Sequence, residues 1–194
     1  MAVRQSTFIN MVVTLTSVTL IAGIALGFVY EATQEPINKA LLAKQLRAIE
    51  GVISRYDNNP VAEKYKVASG EGNDSLEFFP ATWNGETVGV AVKTKSSKGY
   101  SGDIWLMVGF DPNGVIMDVF VIQHLETPGL GSKMSEPFFL DQYRGKNPAN
   151  DDLRVKKDGG SVDAISGATI SSRAFSEAVL SAYKSFQQSG YGKD

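Results

Sequence analysis

The sequence predicts an α+β architecture: a single N-terminal transmembrane helix, then a soluble domain in which an antiparallel sheet is covered by helices. Three observations predict it. A charge-free apolar run extends from Phe8 to Tyr30. Two pairs of β-rich segments are each joined by a tight turn, Asn84-Gly85 in one pair and Asp111-Pro112-Asn113-Gly114 in the other. A long amphipathic stretch runs from Ser172 to Gln188. The length, 194 residues, suits one domain with an appendage. A formal net charge of -2 argues against a nucleic-acid partner, which calls for a basic surface. The chain has no cysteine, which excludes disulfides, thiolate zinc sites and protein-ligated iron–sulfur clusters. Its one histidine leaves little room for a His-rich metal site.

A tail, 1–7, leads into the apolar run at 8–30. As a helix that run is about 34 Å long, enough to cross a hydrocarbon core of roughly 30 Å. A cleaved signal peptide is the competing reading. It calls for a shorter apolar core and a small-residue cleavage site, whereas Phe28-Val29-Tyr30 stands at the exit. The run therefore reads as an uncleaved anchor. Charge counting leaves its orientation open: Arg4 precedes it, and Lys39, Lys44 and Arg47 follow it. Gly23 and Gly27 have the small-xxx-small spacing that permits close helix packing.

A connecting helix is expected over 31–56. Pro36 suits its first turn, and Ile37, Leu41, Leu42, Leu46, Ile49 and Ile53 recur at helical spacing. The soluble domain then occupies 57–194. It begins with turns or loop at Asn58-Asn59-Pro60 and Gly70-Glu71-Gly72-Asn73. Glu77 to Trp83 and Thr87 to Thr94 form the first hairpin, with Pro80 marking an edge strand. Ile104 to Phe110 and Val115 to Gln123 form the second. Between them Lys95 to Gly102 is a polar loop with one aromatic, Tyr100. Glu136 to Tyr143 is a short helix candidate. In the last helix Phe175, Ala178, Val179, Ala182 and Phe186 share one face.

The chemistry is expected at the start of that helix, where residues 163–172 read DAISGATISS. A helix start offers free N–H groups and positive partial charge to a phosphate, and Gly167 and Ala168 permit close approach. The plainer reading is that Ser171 or Ser172 caps the helix. Spacing alone leaves the two readings level.

Asp163, Ser166, Gly167, Ala168 and Thr169 resemble the flavinylation motif of FMN-binding domains: Asp, two variable residues, Ser or Thr, Gly, Ala, then Thr or Ser. The resemblance implies that Thr169 carries FMN through a phosphoester bond. It also implies a separate flavin transferase, which moves FMN from FAD. A second segment, His124 to Gly131 (HLETPGLG), is similar to a loop of the G subunit of the Rnf electron-transport complex and of the C subunit of sodium-pumping NADH:quinone reductase. Pro128, Gly129 and Gly131 suit a sharp irregular loop. A plain strand-to-helix turn is the alternative. With the resemblance, Glu126, Thr127, Gly129 and Leu130 become FMN-pocket candidates.

Tyr100 is the aromatic best placed to meet a flavin ring, since Trp83 and Trp105 lie on strands, where aromatics usually serve the core. His124 and Lys133 are secondary candidates, with structural and exposed roles as their respective defaults. The implied function is that of a membrane-anchored electron-transfer subunit, part of a complex linking ferredoxin and NAD chemistry to ion translocation across the bacterial cytoplasmic membrane. The implied side for the soluble domain is extracytoplasmic. Other membrane and peripheral subunits supply NAD binding, the iron–sulfur relay and the ion path. Two alternatives stand: the equivalent quinone-reductase subunit, and a non-redox envelope binding module.

Overall fold

The computed structural model describes residues 7–69 and 75–191. Arg4 and the expected Gly70-Glu71-Gly72-Asn73 turn lie outside the described residues. The chain divides into two compact units, residues 1–43 and 44–194.

The first unit is helical. A single helix, α1 (Phe8–Val52), replaces the separate segments expected at 8–30 and 31–56, and it ends before Tyr56. Pro36 therefore sits inside a helix rather than in a first turn. It removes one backbone donor. Strong helix formers on both sides (Glu31, Ala32, Gln34 and Glu35 before it, Lys39 to Lys44 after) sustain the helix across that gap. Glu35 and Lys39 also pair across it at 2.6 Å. The helix is long and apolar enough to cross a membrane, and its most apolar window is wholly unburied by protein. Lipid is the environment that such a surface suits.

The second unit holds a five-stranded antiparallel sheet in sequence order: β1 (Tyr65–Ala68), β2 (Ser75–Trp83), β3 (Glu86–Ser96), β4 (Ile104–Phe110) and β5 (Ile116–Gln123). Both expected hairpins are present. Asn84 and Gly85 take positive φ at the first turn, the left-handed pair that a tight hairpin needs. At the second, Asp111 accepts from the N–H groups of Asn113 and Val115. The strand β1 falls where loop was expected, because four residues are too short for an alternating pattern to stand out. It makes β2 an inner strand, which corrects the edge reading of Pro80. The coverage is partial: β1 pairs only with Ser75 to Phe78. At Pro80 the outer side meets a loop instead, where the Asn58 side chain donates to the Pro80 carbonyl at 3.0 Å.

Strand alternation sorts side chains into two cores. One face carries Phe78, Val90, Val92, Leu106, Val108 and Phe110, which pack on α3 (Thr169–Gln188) through Phe175, Val179 and Phe186. Alanines along α3 let it lie close to the sheet, and the Thr94 hydroxyl reaches the Ala178 carbonyl at 3.1 Å. The opposite face carries Phe79, Ala81, Ala91 and Met107, covered by Ala48, Ile49, Val52 and Ile53. Contact there is tight: a Cβ at Gly109 would stand 2.5 Å from the Val52 carbonyl oxygen.

The short helix expected over Glu136 to Tyr143 is four residues, α2 (Pro137–Leu140), following a 3₁₀ turn at Gly131–Ser135. Phe139, Tyr143 and Phe175 form an aromatic cluster with centroids 5.0 to 5.6 Å apart. Burial pushes the Tyr143 hydroxyl pKa up; its hydrogen bond to Ser176, at 2.8 Å, opposes the shift. One edge strand, β1, is short, and the other, β5, is covered at its start. The N–H of Ile116 donates to the Lys146 carbonyl, and Gly145 returns a bond to Ile116. Arg144 bridges Asp118 and Asp141 beside the same edge.

Candidate functional site

The last helix begins at Thr169, three residues before the expected Ser172, so the threonine of the DAISGAT segment is its first helical residue. Neither serine caps it. Ala168 is the cap position and offers no side-chain acceptor. The Ser172 hydroxyl donates to the Ala168 carbonyl and accepts from the Ile165 N–H, both at 3.0 Å. Ser171 turns the other way and donates to Glu126 at 2.7 Å. The first-turn N–H groups of α3 are therefore left to a ligand or to solvent. Gly167 precedes the cap at φ +76, and a Cβ there would stand 3.2 Å from Leu130. Glycine at this position fits both the left-handed backbone and the close neighbour.

The HLETPGLG loop closes over this helix start. Its bend is held by the Thr127 carbonyl, which accepts from Leu130 and Ser132 at 3.2 and 3.3 Å. The Ser132 hydroxyl accepts from Gly129, whose φ is +76. Glu126 ties the loop inward and is 5% exposed. One of its oxygens accepts from the Ser171 hydroxyl, the other from the Ser101 N–H at 3.2 Å. Both oxygens are thus satisfied, as a buried carboxylate requires. Glycines make room for it: a Cβ at Gly131 or at Gly99 would come within 2.7 Å of its oxygens. His124 accepts the Glu126 N–H at 3.1 Å through Nδ1, a structural bond within the loop.

These segments enclose a cavity of about 480 Å³, lined by Tyr100, Glu126, Thr127, Leu130, Gly131, Lys157, Gly167, Ala168, Thr169, Ile170 and Ser171. Seven of the cofactor-site residues expected from the sequence meet there: Tyr100, Glu126, Thr127, Leu130, Gly167, Ala168 and Thr169. Gly129 shapes the loop without lining the cavity. Asp163 and Ser166 line a neighbouring cavity instead, with Lys133, Phe138 and Gln142. Asp163 is held on both sides of its backbone by Gln142 and pairs with Lys156 at 2.7 Å. Its place is in bracing the segment that leads to Thr169. Trp83 lies under Arg55, and Trp105 beside Lys93 and Lys95, so neither meets the site. A larger cavity, about 670 Å³, runs along α3 past Ile170 and does not include Thr169.

Lys157 is a polar lining residue to which the sequence did not point, and Ser171 stood there only as a possible helix cap. Lys157 belongs to a 3₁₀ turn, Lys156–Asp158, and its Nζ lies 3.2 Å from the Thr169 hydroxyl oxygen. Asp158 of that turn pairs with Arg173 through two contacts of 2.7 Å. That bond to Arg173 holds the Asp158 pKa below the ordinary aspartate value. No spacing in the sequence announces the turn's approach to α3, because it depends on how the intervening loop folds back.

Comparison with known proteins supplies the remaining observations. A family model described as FMN-binding domain matches residues 99–184, which span the whole cavity. The G subunit of the ion-translocating oxidoreductase complex from Haemophilus influenzae (strain PittEE) is 34% identical over 171 residues, 78% of this chain and 82% of that protein. The protein of the same name from Yersinia pestis is 39% identical over 151 residues, 74% and 70% of the two chains. The one from Vibrio cholerae serotype O1 (strain M66-2) is 31% identical over 196 residues, 96% and 91%. Among solved structures, NqrC of Shewanella oneidensis has a TM-score of 0.48 at 23% identity, covering 63% of this chain and 66% of that one. The C subunit of the Na(+)-translocating NADH-quinone reductase from Parabacteroides distasonis scores 0.47 at 24% identity, covering 59% and 62%.

Proposed function

Because this chain belongs to the family of G subunits of ion-translocating oxidoreductase complexes, we propose that it is the membrane-anchored, flavin-carrying electron-transfer subunit of such a complex. Its FMN-binding domain supports FMN as the cofactor. The single observation that carries the site is the cavity joining Thr169, an uncapped helix start and Lys157.

The residues present fit FMN. At one end of the cavity a hydroxyl, an ammonium and free N–H groups suit a phosphate. Tyr100, Leu130 and Ile170 stand exposed around it and offer apolar surface to a flavin ring. Bound FMN supplies reversible electron transfer, while the protein supplies attachment and orientation. The attachment is a phosphoester at Thr169. In the transfer that forms it, the Thr169 hydroxyl oxygen would take the FMN phosphoryl group from FAD, with AMP leaving on cleavage of the pyrophosphate bond and the hydroxyl proton passing to a base of the transferase. No electron is gained or lost in that step. Glu126 holds three segments of the cavity wall together and so keeps it in shape before a cofactor arrives.

Two alternatives fall behind. The relatives carry the G-subunit name, which sets the quinone-reductase reading second. A match to an FMN-binding domain disfavours a non-redox module. The remaining subunits of the complex hold the donor and acceptor sites for ferredoxin and NAD chemistry, and the soluble domain lies on the extracytoplasmic side. Mass spectrometry of the chain made with an active flavin transferase is expected to show an adduct of about 440 Da on Thr169, a mass set by the cofactor. Thr169→Ala is expected to lose both the adduct and the visible flavin absorbance. Unmodified Thr169 in the wild-type chain would overturn the attachment.

A further inference from the structure

We propose that Lys157 is the cation that neutralises the phosphodiester at Thr169 and pins the flavin tether to the domain. The inference rests on the attachment reading above and goes beyond it, because no motif residue supplies a positive side chain.

The argument starts from charge matching around the Lys156–Asp158 turn. Lys156 meets Asp163 at 2.7 Å, Asp158 meets Arg173 at 2.7 Å, and Arg154 meets Asp152. Each of these charges has its opposite. Among the described residues Lys157 has none: its ammonium is bonded to the neutral hydroxyl of Thr169 and to no carboxylate. It also faces the N-terminus of α3, where no side chain caps the helix and the partial charge is positive. An anion placed between this cation and the positive helix end would be attracted by both. The atom they converge on, Thr169 Oγ1, is the one that would become a phosphoester oxygen.

The turn is also fixed in place. The Asp158–Arg173 fork ties it to the second turn of α3, and Lys156–Asp163 ties it to the segment before α3. Neighbouring ion pairs therefore set where Lys157 stands, so its reach to Thr169 does not rest on one flexible side chain alone. A phosphodiester carries one negative charge, and a single ammonium with backbone N–H groups suffices to hold it.

The test uses the full chain in detergent, loaded with FMN by a flavin transferase, as wild type, Lys157→Gln and Lys157→Arg. Phosphorus NMR reads the ester and fluorescence anisotropy reads the freedom of the flavin. Lys157→Gln is expected to shift the phosphorus resonance and lower the flavin anisotropy, with both effects growing smaller as salt rises. Lys157→Arg is expected to stay near wild type, since the charge remains. Thermal melting of the variants is expected to match, because Lys157 is exposed. Identical phosphorus shift and anisotropy in wild type and Lys157→Gln would overturn the inference. So would equal losses in Lys157→Gln and Lys157→Arg, which would make shape rather than charge responsible. A wild-type chain that takes up no flavin overturns the attachment reading instead.

Discussion

The Glu126 carboxylate shows how much of this site depends on single atoms being absent. Its oxygens sit where Cβ atoms of Gly99 and Gly131 would stand, at 2.7 Å in each case. Gly131 also faces the Ser171 hydroxyl at the same 2.7 Å. An added methyl must therefore displace either the carboxylate or the start of α3, and overpacking of this kind costs about 1–3 kcal/mol. Gly131→Ala is expected to lower the melting temperature by several degrees and to reduce flavin incorporation in the same preparation. Melting curves and the absorbance ratio of flavin to protein measure the two effects. An unchanged ratio would show that the loop is not part of the flavin pocket. Gly131 is legible in the sequence as a loop glycine, but its packing against Ser171 is not, since those residues are brought together only by the fold. Lys157 is a similar case: a lysine pair carries no periodicity, and its contact is made across a folded loop.

Among the elements, those with strong local chemistry were legible in the sequence and those resting on tertiary support were not. The Asn84-Gly85 and Asp111-to-Gly114 turns announce both hairpins, because each requires residues that tolerate unusual backbone. The β1 strand is held by pairing with β2 rather than by its own pattern. Pro36 suggests a helix start, yet α1 continues through it. That continuity changes where the domain begins. The last turns of α1 bury Ile49 and Val52, and Ile53 follows them into the second core. A fragment starting at residue 57 loses these three side chains, worth together about 5 kcal/mol or more of burial. Against a total stability of about 5–15 kcal/mol, that loss is decisive. Fragment 44–194 is therefore expected to be soluble and to melt cooperatively, whereas fragment 57–194 is expected to aggregate or melt far lower. Circular dichroism during heating compares them directly, and equal melting of the two would refute this account.

At the scale of the whole molecule, the chain joins a helix apolar enough to cross a membrane to a domain that carries the cavity proposed above for FMN. The anchor's apolar window is unburied by protein, and lipid or other membrane subunits are its natural partners. Loop charges do not decide which side the domain occupies, and the extracytoplasmic side is the proposal made above. Protease added to intact spheroplasts is expected to digest the domain; protection that ends only on lysis would place it in the cytoplasm. The chain has no cysteine, so thiolate-held iron–sulfur clusters are excluded as its electron carrier, in keeping with the FMN-binding domain that it matches.

The short and covered sheet edges bear on crowding. Proteins tethered to a membrane diffuse in a plane and collide far more often than the same number of molecules in free solution. Unpaired strand edges turn such collisions into sheet-to-sheet growth. Here one edge strand, β1, spans four residues and includes Lys66, while the start of β5 is bonded to Gly145 and Lys146, with Arg144 and Asp118 paired beside it. The shortness of β1 and the bonded start of β5 reduce the template that each edge offers. Growth through either edge is thereby disfavoured in a dense two-dimensional population of these domains.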